Sequence, residues 1–283
     1  MNSAVNLIEA QKNAVLAANA AGALMRKNLH AAKQANEITA HDIKLELDVR
    51  CQKLIERKLH AAFPLISFLG EEGDSGAADS EYRWVVDPID GTVNFAYGIP
   101  HACVSIALQV RSPKSNVKSE APSFSSGGHP PSGYETIVGV VYDPFCDELW
   151  TAIRGGPARL NGRVIRVSRH TKLSDSIVTV GFGKSRMSLG KSLPYFNWLA
   201  RRVRKIRIMG SAALGLVYLA TGRFDAYIER GVSLWDIAAG GLIVECAGGG
   251  FWRRPVPGRL KYRMVASNGL LRRKLQTRSL FLR

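Results

Sequence analysis

The chain has 283 residues, 46% hydrophobic and 22% charged, with a formal net charge of +16. A chain of this length buries roughly three-quarters of its unfolded surface, so it builds a large core without staples, and its composition excludes a disordered protein. No apolar run approaches the roughly 18 residues of a membrane span, and Asn6, Glu9, Gln11, Lys12 and Asn13 interrupt any leader-like apolar stretch, so a cytoplasmic protein is expected.

In chain order, apolar positions at Leu7, Ala14, Ala18, Ala21, Met25 and Leu29 predict an amphipathic helix over 4–32. A second helix is expected after Asp48, with Ile55, Leu59, Ala62 and Phe63 on one face. Short β-like runs follow at 65–69, 84–86, 104–110, 136–142 and 148–153. Residues 111–135, rich in Ser, Pro, Gly and Lys, read as a flexible insertion at a hairpin tip. The second half alternates: strand 177–180, helix 195–203, strand 206–209, helix 212–221, strand 224–228, helix 236–247, strand 264–267 and a basic helix at the end. A soft boundary near residue 155 separates a sheet-rich half, 1–155, from an α/β half, 156–283.

The positive charge gathers late. Arg201, Arg202, Arg204, Lys205 and Arg207 form a cluster, and Cys246 to Arg283 holds ten Lys or Arg and no acid. Such a surface suits an anionic substrate, RNA or an acidic partner; without aromatic interleaving, a solvated basic face explains it as well. Cys51, Cys103, Cys146 and Cys246 lie far apart with no CxxC spacing, which predicts buried thiols in a reducing compartment. Gly183-Lys184-Ser185 and Gly190-Lys191-Ser192 lack the upstream glycine of a P-loop. His41, His101 and His170 have no partner at metal-ligand spacing.

Chemistry concentrates at 84–95, Trp-Val-Val-Asp-Pro-Ile-Asp-Gly-Thr-Val-Asn-Phe. Asp87 and Asp90 stand at the end of an apolar strand, Gly91 permits a sharp turn, and Thr92 adds a hydroxyl. Carboxylates crowded at a strand end repel one another unless a hard cation lies between them; the plainer alternative is an Asx-turn at Asp90-Gly91. Gly70-Glu71-Glu72 ends another strand, Asp42 and Asp48 flank a short extended segment, and Trp235-Asp236 opens a helix, where Asp236 also reads as an N-cap.

Taken together these strings resemble the inositol monophosphatase family: Gly70-Glu71-Glu72, Asp87 through Phe95 followed by Pro100, Gly210-Ser211-Ala212, Glu229, and Trp235 through Gly240, in the family's order. The resemblance implies an α+β fold, a layered αβαβα sandwich with a large mixed or antiparallel sheet in the N-terminal half and a smaller α/β sheet in the C-terminal half. It implies a Mg²⁺-dependent phosphatase. Glu71, Asp87 and the Ile89 carbonyl would hold one ion, and Asp87, Asp90 and Asp236 a second, with Glu71 also helping to hold a third. Thr92 and Asp42 would position and deprotonate the attacking water. Substrate would meet Asp90, the Gly91 and Thr92 amides, the Gly210-Ser211-Ala212 turn, Glu229 and Asp236. The segment Asp42 to Asp48 departs from the family pattern, with Lys44-Leu45 in place of Val-Thr, and Lys33 stands two residues short of the family's upstream lysine. Val93-Asn94-Phe95 points to inositol monophosphate or a related polyol or sugar monophosphate. Alternatives are fructose 1,6-bisphosphate, histidinol phosphate and 3′-phosphoadenosine phosphate, or an RNA-binding regulator on the same fold. Lithium sensitivity and a homodimer are further implications.

Overall fold

The first layer is set by alanine. α1 (Leu7–Asn28) starts where the Asn6 side chain accepts the backbone N–H groups of Ile8 and Glu9 at 3.0 and 3.2 Å, satisfying two orphan donors of the first turn. Its buried face is Ala10, Ala14, Ala17, Ala18 and Ala21, so α2 (Glu46–Ala62) and the sheet below approach closely. α2 buries Leu47, Cys51, Ile55 and Leu59, while Ala62, expected on that face, is exposed at the fraying end. α2 also begins at Glu46, ahead of the expected start, which puts Asp48 in its first turn. The computed structural model describes residues 5–31, 35–38, 43–77, 80–112, 133–182 and 186–276.

After a small antiparallel pair, β1 (Ala35–Ile38) and β2 (Ile43–Leu45), the chain builds an eight-stranded sheet in the order β10-β9-β8-β7-β6-β5-β3-β4. Its members are β3 (Ser67–Gly70), β4 (Gly73–Ser75), β5 (Tyr82–Asp90), β6 (Cys103–Arg111), β7 (Tyr134–Asp143), β8 (Glu148–Ile153), β9 (Arg159–Leu160) and β10 (Arg163–Val164). Among the described residues of this sheet, only β3 and β5 pair in parallel. β6 and β7 pair as far as Arg111 and Tyr134, the hairpin expected around the insertion, whose residues 113–132 lie outside the described ones.

The second sheet has the order β12-β11-β13-β15-β14, from β11 (Ile177–Val180), β12 (Lys205–Arg207), β13 (Ala226–Ser233), β14 (Gly250–Pro255) and β15 (Lys261–Ser267). Between the sheets lie α5 (Ala212–Ala220) and α6 (Leu234–Cys246), whose residues are apolar on nearly every side because both faces are covered. α4 (Arg186–Ala200) and α7 (Arg272–Gln276) pack on the far face of the small sheet. The layering is helix, sheet, helix, sheet, helix, as the resemblance implies. The short helix α3 (Thr92–Ala96) follows β5.

β14 is missed by the sequence reading because its start is glycine-rich and its end holds Arg253-Arg254-Pro255, which mask any alternation. β13 and β15 run longer than expected for the same reason: charged residues at their ends are paired in the ladder. Of the thiols, Cys51 and Cys103 are buried and free, whereas Cys146, in the turn after β7, is exposed and Cys246 half-buried. Among the described residues no helix is long and apolar enough to cross a membrane.

The close contact of α6 on the large sheet can be tested. A Cβ on Gly139 of β7 would stand 2.8 Å from the Ala239 carbonyl oxygen and 3.3 Å from its Cα, both backbone atoms. Gly139→Ala is therefore expected to destabilise by about 1–3 kcal/mol, read as a lower urea midpoint with unchanged slope.

Candidate active site

Asp87 and Asp90 are three residues apart, so in a regular strand they would face opposite sides of the sheet. A β-bulge prevents this. Asp87 pairs with Ser105 and Asp90 with Cys103, so β5 spends one residue more than β6 over the same stretch. Pro88, with no N–H to offer the ladder, sits in the bulge, and both carboxylates turn to one side. Gly91 then takes φ 94°, and a Cβ there would stand 2.9 Å from the His101 carbonyl oxygen, so this turn needs glycine.

Asp236, from the first turn of α6, completes a trio: one carboxylate oxygen of each of Asp87, Asp90 and Asp236 lies within 4.8 Å of the others. The Asp236 carboxylate also accepts the Ser233 backbone N–H at 2.8 Å. Ser105, opposite Asp87, donates its hydroxyl to the Trp235 carbonyl at 3.1 Å and ties the start of α6 to the sheet. Asp90 meets the start of α5, accepting the Ser211 hydroxyl at 2.6 Å and the amides of Ala212 and Ala213 at 3.2 and 2.6 Å. Ser211 and Ala212, expected to contact substrate, thus engage Asp90 directly. Asn94 holds the Gly210 turn in place by donating to the carbonyls of His101 and Met209, both at 2.9 Å.

Glu71 lines the same cleft from the β3–β4 turn. Gln52 of α2 braces that turn, donating to the Gly73 carbonyl at 3.0 Å and accepting the Glu72 amide at 2.9 Å. Glu229 lines it from β13 and accepts the Tyr227 hydroxyl; a Cβ on Gly181 would collide with its carboxylate. The cleft has a volume of about 820 Å³, within the range typical of small-molecule sites. It brings together Glu71, Asp87, Ile89, Asp90, Gly91, Thr92, Gly210, Ser211, Ala212, Glu229 and Asp236. Asp42 and Lys33 lie outside the described residues.

Among the described residues, the carboxylate that the structure gives Thr92 is Asp48. The Thr92 hydroxyl lies 3.3 Å from Asp48 Oδ1 and 2.8 Å from the Ile89 carbonyl oxygen, and Asp48 Oδ2 accepts the Leu45 amide at 2.7 Å. The sequence reading gave this role to Asp42, with Asp48 at the other end of the same extended segment and ahead of the expected second helix. Tyr227 was legible in principle, since it stands two residues before Glu229 on the same strand face.

The site is electrostatically loaded. Burial pushes Asp48 up to about 7. Asp90 rises to about 7 through burial and the neighbouring Asp236, against the hydrogen bonds from α5. Asp87 is pushed well above the ordinary carboxylate range by burial, then by Glu71, Asp90 and Asp236. Burial takes Glu229 to about 7. Groups raised in this way make the folded state bind protons more tightly than the unfolded one. Their stabilisation is full below about pH 4 and is lost as pH rises through about 7. One unit of pKa is worth about 1.4 kcal/mol, and about 1 kcal/mol moves the melting point by about 2–4 °C at this size. The cation-free protein is therefore expected to melt at a lower temperature at pH 8 than at pH 5. Millimolar Mg²⁺ should recover most at the higher pH; equal slopes with chelator and with Mg²⁺ in differential scanning fluorimetry would contradict a cation site.

The sequence matches the inositol monophosphatase family over residues 6–114 and 133–276. It is 39% identical over 206 residues to the inositol-1-monophosphatase of Rhizobium meliloti, covering 72% of this chain and 69% of that one. It is 38% identical over 213 residues to the Nus factor SuhB of Pasteurella multocida, covering 75% and 72%. The crystal structure of extragenic suppressor protein suhB from Bartonella henselae superposes with a TM-score of 0.81 at 33% identity, over 95% of this chain and 97% of that one. With the carboxylate trio, the bulged strand and the layered fold in place, the chain belongs to the inositol monophosphatase family and is a phosphatase of that type.

Proposed function

We propose that the cleft hydrolyses the phosphomonoester of inositol, or of a related polyol or sugar, in a Mg²⁺-dependent reaction. The observation that carries the reading is the convergence of Asp87, Asp90 and Asp236 within 4.8 Å, beside the hydroxyl–carboxylate pair Thr92–Asp48. The donor set fits the ion: all ligands are hard oxygens, and buried carboxylates that repel one another gain most from a bound cation. Asp87, Asp90 and Asp236 would hold it, with Glu71 and the Ile89 carbonyl available for more than one ion. Bound there, Mg²⁺ supplies Lewis acidity and charge neutralisation at the phosphoryl oxygens.

The chain's own residues account for the rest. Asp48 accepts the Thr92 proton, so the Thr92 oxygen can take a proton from an attacking water. The start of α3, at Gly91 and Thr92, directs amides toward the phosphate position. Glu229, oriented by the Tyr227 hydroxyl, can accept hydrogen bonds from polyol hydroxyls. Phosphate release from inositol 1-phosphate, histidinol phosphate and 3′-phosphoadenosine phosphate, with and without Mg²⁺, tests this. The polyol should give the highest kcat/KM and chelation should abolish it; equal rates on the nucleotide would remove the substrate assignment. A homodimer is the expected assembly, checked by light scattering against twice the 30.9 kDa chain.

A second reading is favoured by the surface. Arg201, Arg202, Arg204, Lys205 and Arg207 are all exposed, and one relative carries the name Nus factor. Binding of RNA through this cluster is expected to weaken steeply with salt. Filter binding at two ionic strengths checks it, and no binding at low salt would dismiss it.

A further inference from the structure

Among the described residues lining the cleft, one side chain is cationic: Lys261, the first residue of β15. It lines the cleft together with Glu229. Its charge reaches that carboxylate, pulling it down against the effect of burial. Across the ladder Lys261 pairs with Ser233, and its ammonium donates to the Ser233 hydroxyl at 2.6 Å. The ladder register shifts between Arg230 and Val232, and Gly231, with φ 91°, also lines the cleft beside it.

A lysine that served only to offset the acidic cluster would sit on a carboxylate. Lys261 makes no ion pair within salt-bridge distance among the described residues, and its bond goes to a neutral hydroxyl. An ammonium has three donors, so two remain for a ligand. The cleft has room for one, since its volume of about 820 Å³ is toward the upper end of the small-molecule range of about 300–1,000 Å³. The carboxylate trio calls for a cation and the scissile phosphate, and Lys261, held on Ser233 at the start of α6, adds a fixed positive charge to the same cleft.

We propose that Lys261 is a specificity-determining residue that holds a second anionic group of the substrate, phosphate or carboxylate, in addition to the scissile phosphate. This rests on reading the cleft as a phosphomonoesterase site. A sugar or polyol phosphate that carries a second anionic group, retained in the product, is then favoured over its singly anionic analogue. Glu229 and Lys261 together would read a hydroxyl beside an anion, the carboxylate accepting and the ammonium donating.

The test uses the full chain with Mg²⁺, comparing wild type, Lys261→Met and Lys261→Arg. Three substrates are followed by phosphate release: glucitol 6-phosphate, fructose 1,6-bisphosphate and 6-phosphogluconate. The ratio of kcat/KM for each doubly anionic substrate to that for glucitol 6-phosphate is expected to fall at least tenfold in Lys261→Met. The loss should lie in KM, and Lys261→Arg should recover most of it. A fall for the bisphosphate alone identifies phosphate as the second group, and a fall for 6-phosphogluconate alone identifies carboxylate. Parallel loss on all three substrates would mean that Lys261 only supports Asp236 through Ser233, and would overturn the proposal. An unchanged ratio would overturn it too. If wild type hydrolyses inositol 1-phosphate but none of the three, the doubly anionic assignment fails and the phosphatase reading stands; if it hydrolyses none of the four, the phosphatase reading fails. Calorimetric titration of fructose 1,6-bisphosphate into wild type and Lys261→Met then decides the residue separately: tenfold weaker binding supports it, and equal binding defeats it.

Discussion

Asp90→Asn is expected to lower kcat/KM for Mg²⁺-dependent phosphate release by about 10³-fold, while the fold survives. The size follows from removing one charge-stabilising group at a phosphoryl-transfer centre, about 3–4 kcal/mol of transition-state stabilisation. The fold should survive because an amide keeps an oxygen for the Ala213 N–H, the 2.6 Å bond that ties β5 to the start of α5. Without cation the variant should even gain stability, since Asp90 and Asp236 no longer repel. Circular dichroism, melting with chelator and steady-state kinetics together check it. Near-normal activity at saturating Mg²⁺ would remove Asp90 from the metal site.

Asp48→Asn is expected to lower kcat by about 10²–10⁴-fold, the usual range for a positioned general base, with KM little changed. An asparagine keeps an acceptor for the Leu45 amide, now at 2.7 Å, so α2 should start where it does. What is lost is the ability to take a proton from Thr92. The parallel Asp42→Asn variant decides between the two carboxylates, and the larger kcat loss is expected at Asp48. Were Asp42→Asn the more damaging, the Thr92–Asp48 distance of 3.3 Å would not report the working pair.

The electrostatic cost of this site explains its placement. Four carboxylates that burial holds above their ordinary range lie around one cleft, where the two sheets and α6 meet. The layers around them are packed apolar clusters, with α5 and α6 buried on both faces. A rigid surround of this kind can hold like charges together, because any relaxation would open the core. The same rigidity makes Gly139 and Gly91 intolerant of a side chain.

Legibility in the sequence followed the range of the interaction. The string 84–95 could be read because strand, turn and hydroxyl are all local, whereas its bulge exists only against β6. The α1 alanines and the strand cores were legible for the same reason, whereas the layered order came with the family resemblance. β14 was not, since a glycine start and an arginine pair carry no alternation until β15 supplies the partner. The choice of Asp42 over Asp48 came from the same limit: both acids flank one extended segment, and spacing alone does not say which one faces α3.

By itself, then, the sequence determined the residue types of the metal centre, their order, and the family in which that order makes sense. The tertiary structure decided which of them touch. It set Asp90 on the α5 amides, Asp48 beside Thr92, and Lys261 on the Ser233 hydroxyl in the cleft, contacts separated by 122, 44 and 28 residues for Asp90–Ala212, Asp48–Thr92 and Lys261–Ser233. Contacts of that range depend on how helices and sheets stack, and stacking is governed by buried surface summed over whole elements, which no local string of residues encodes.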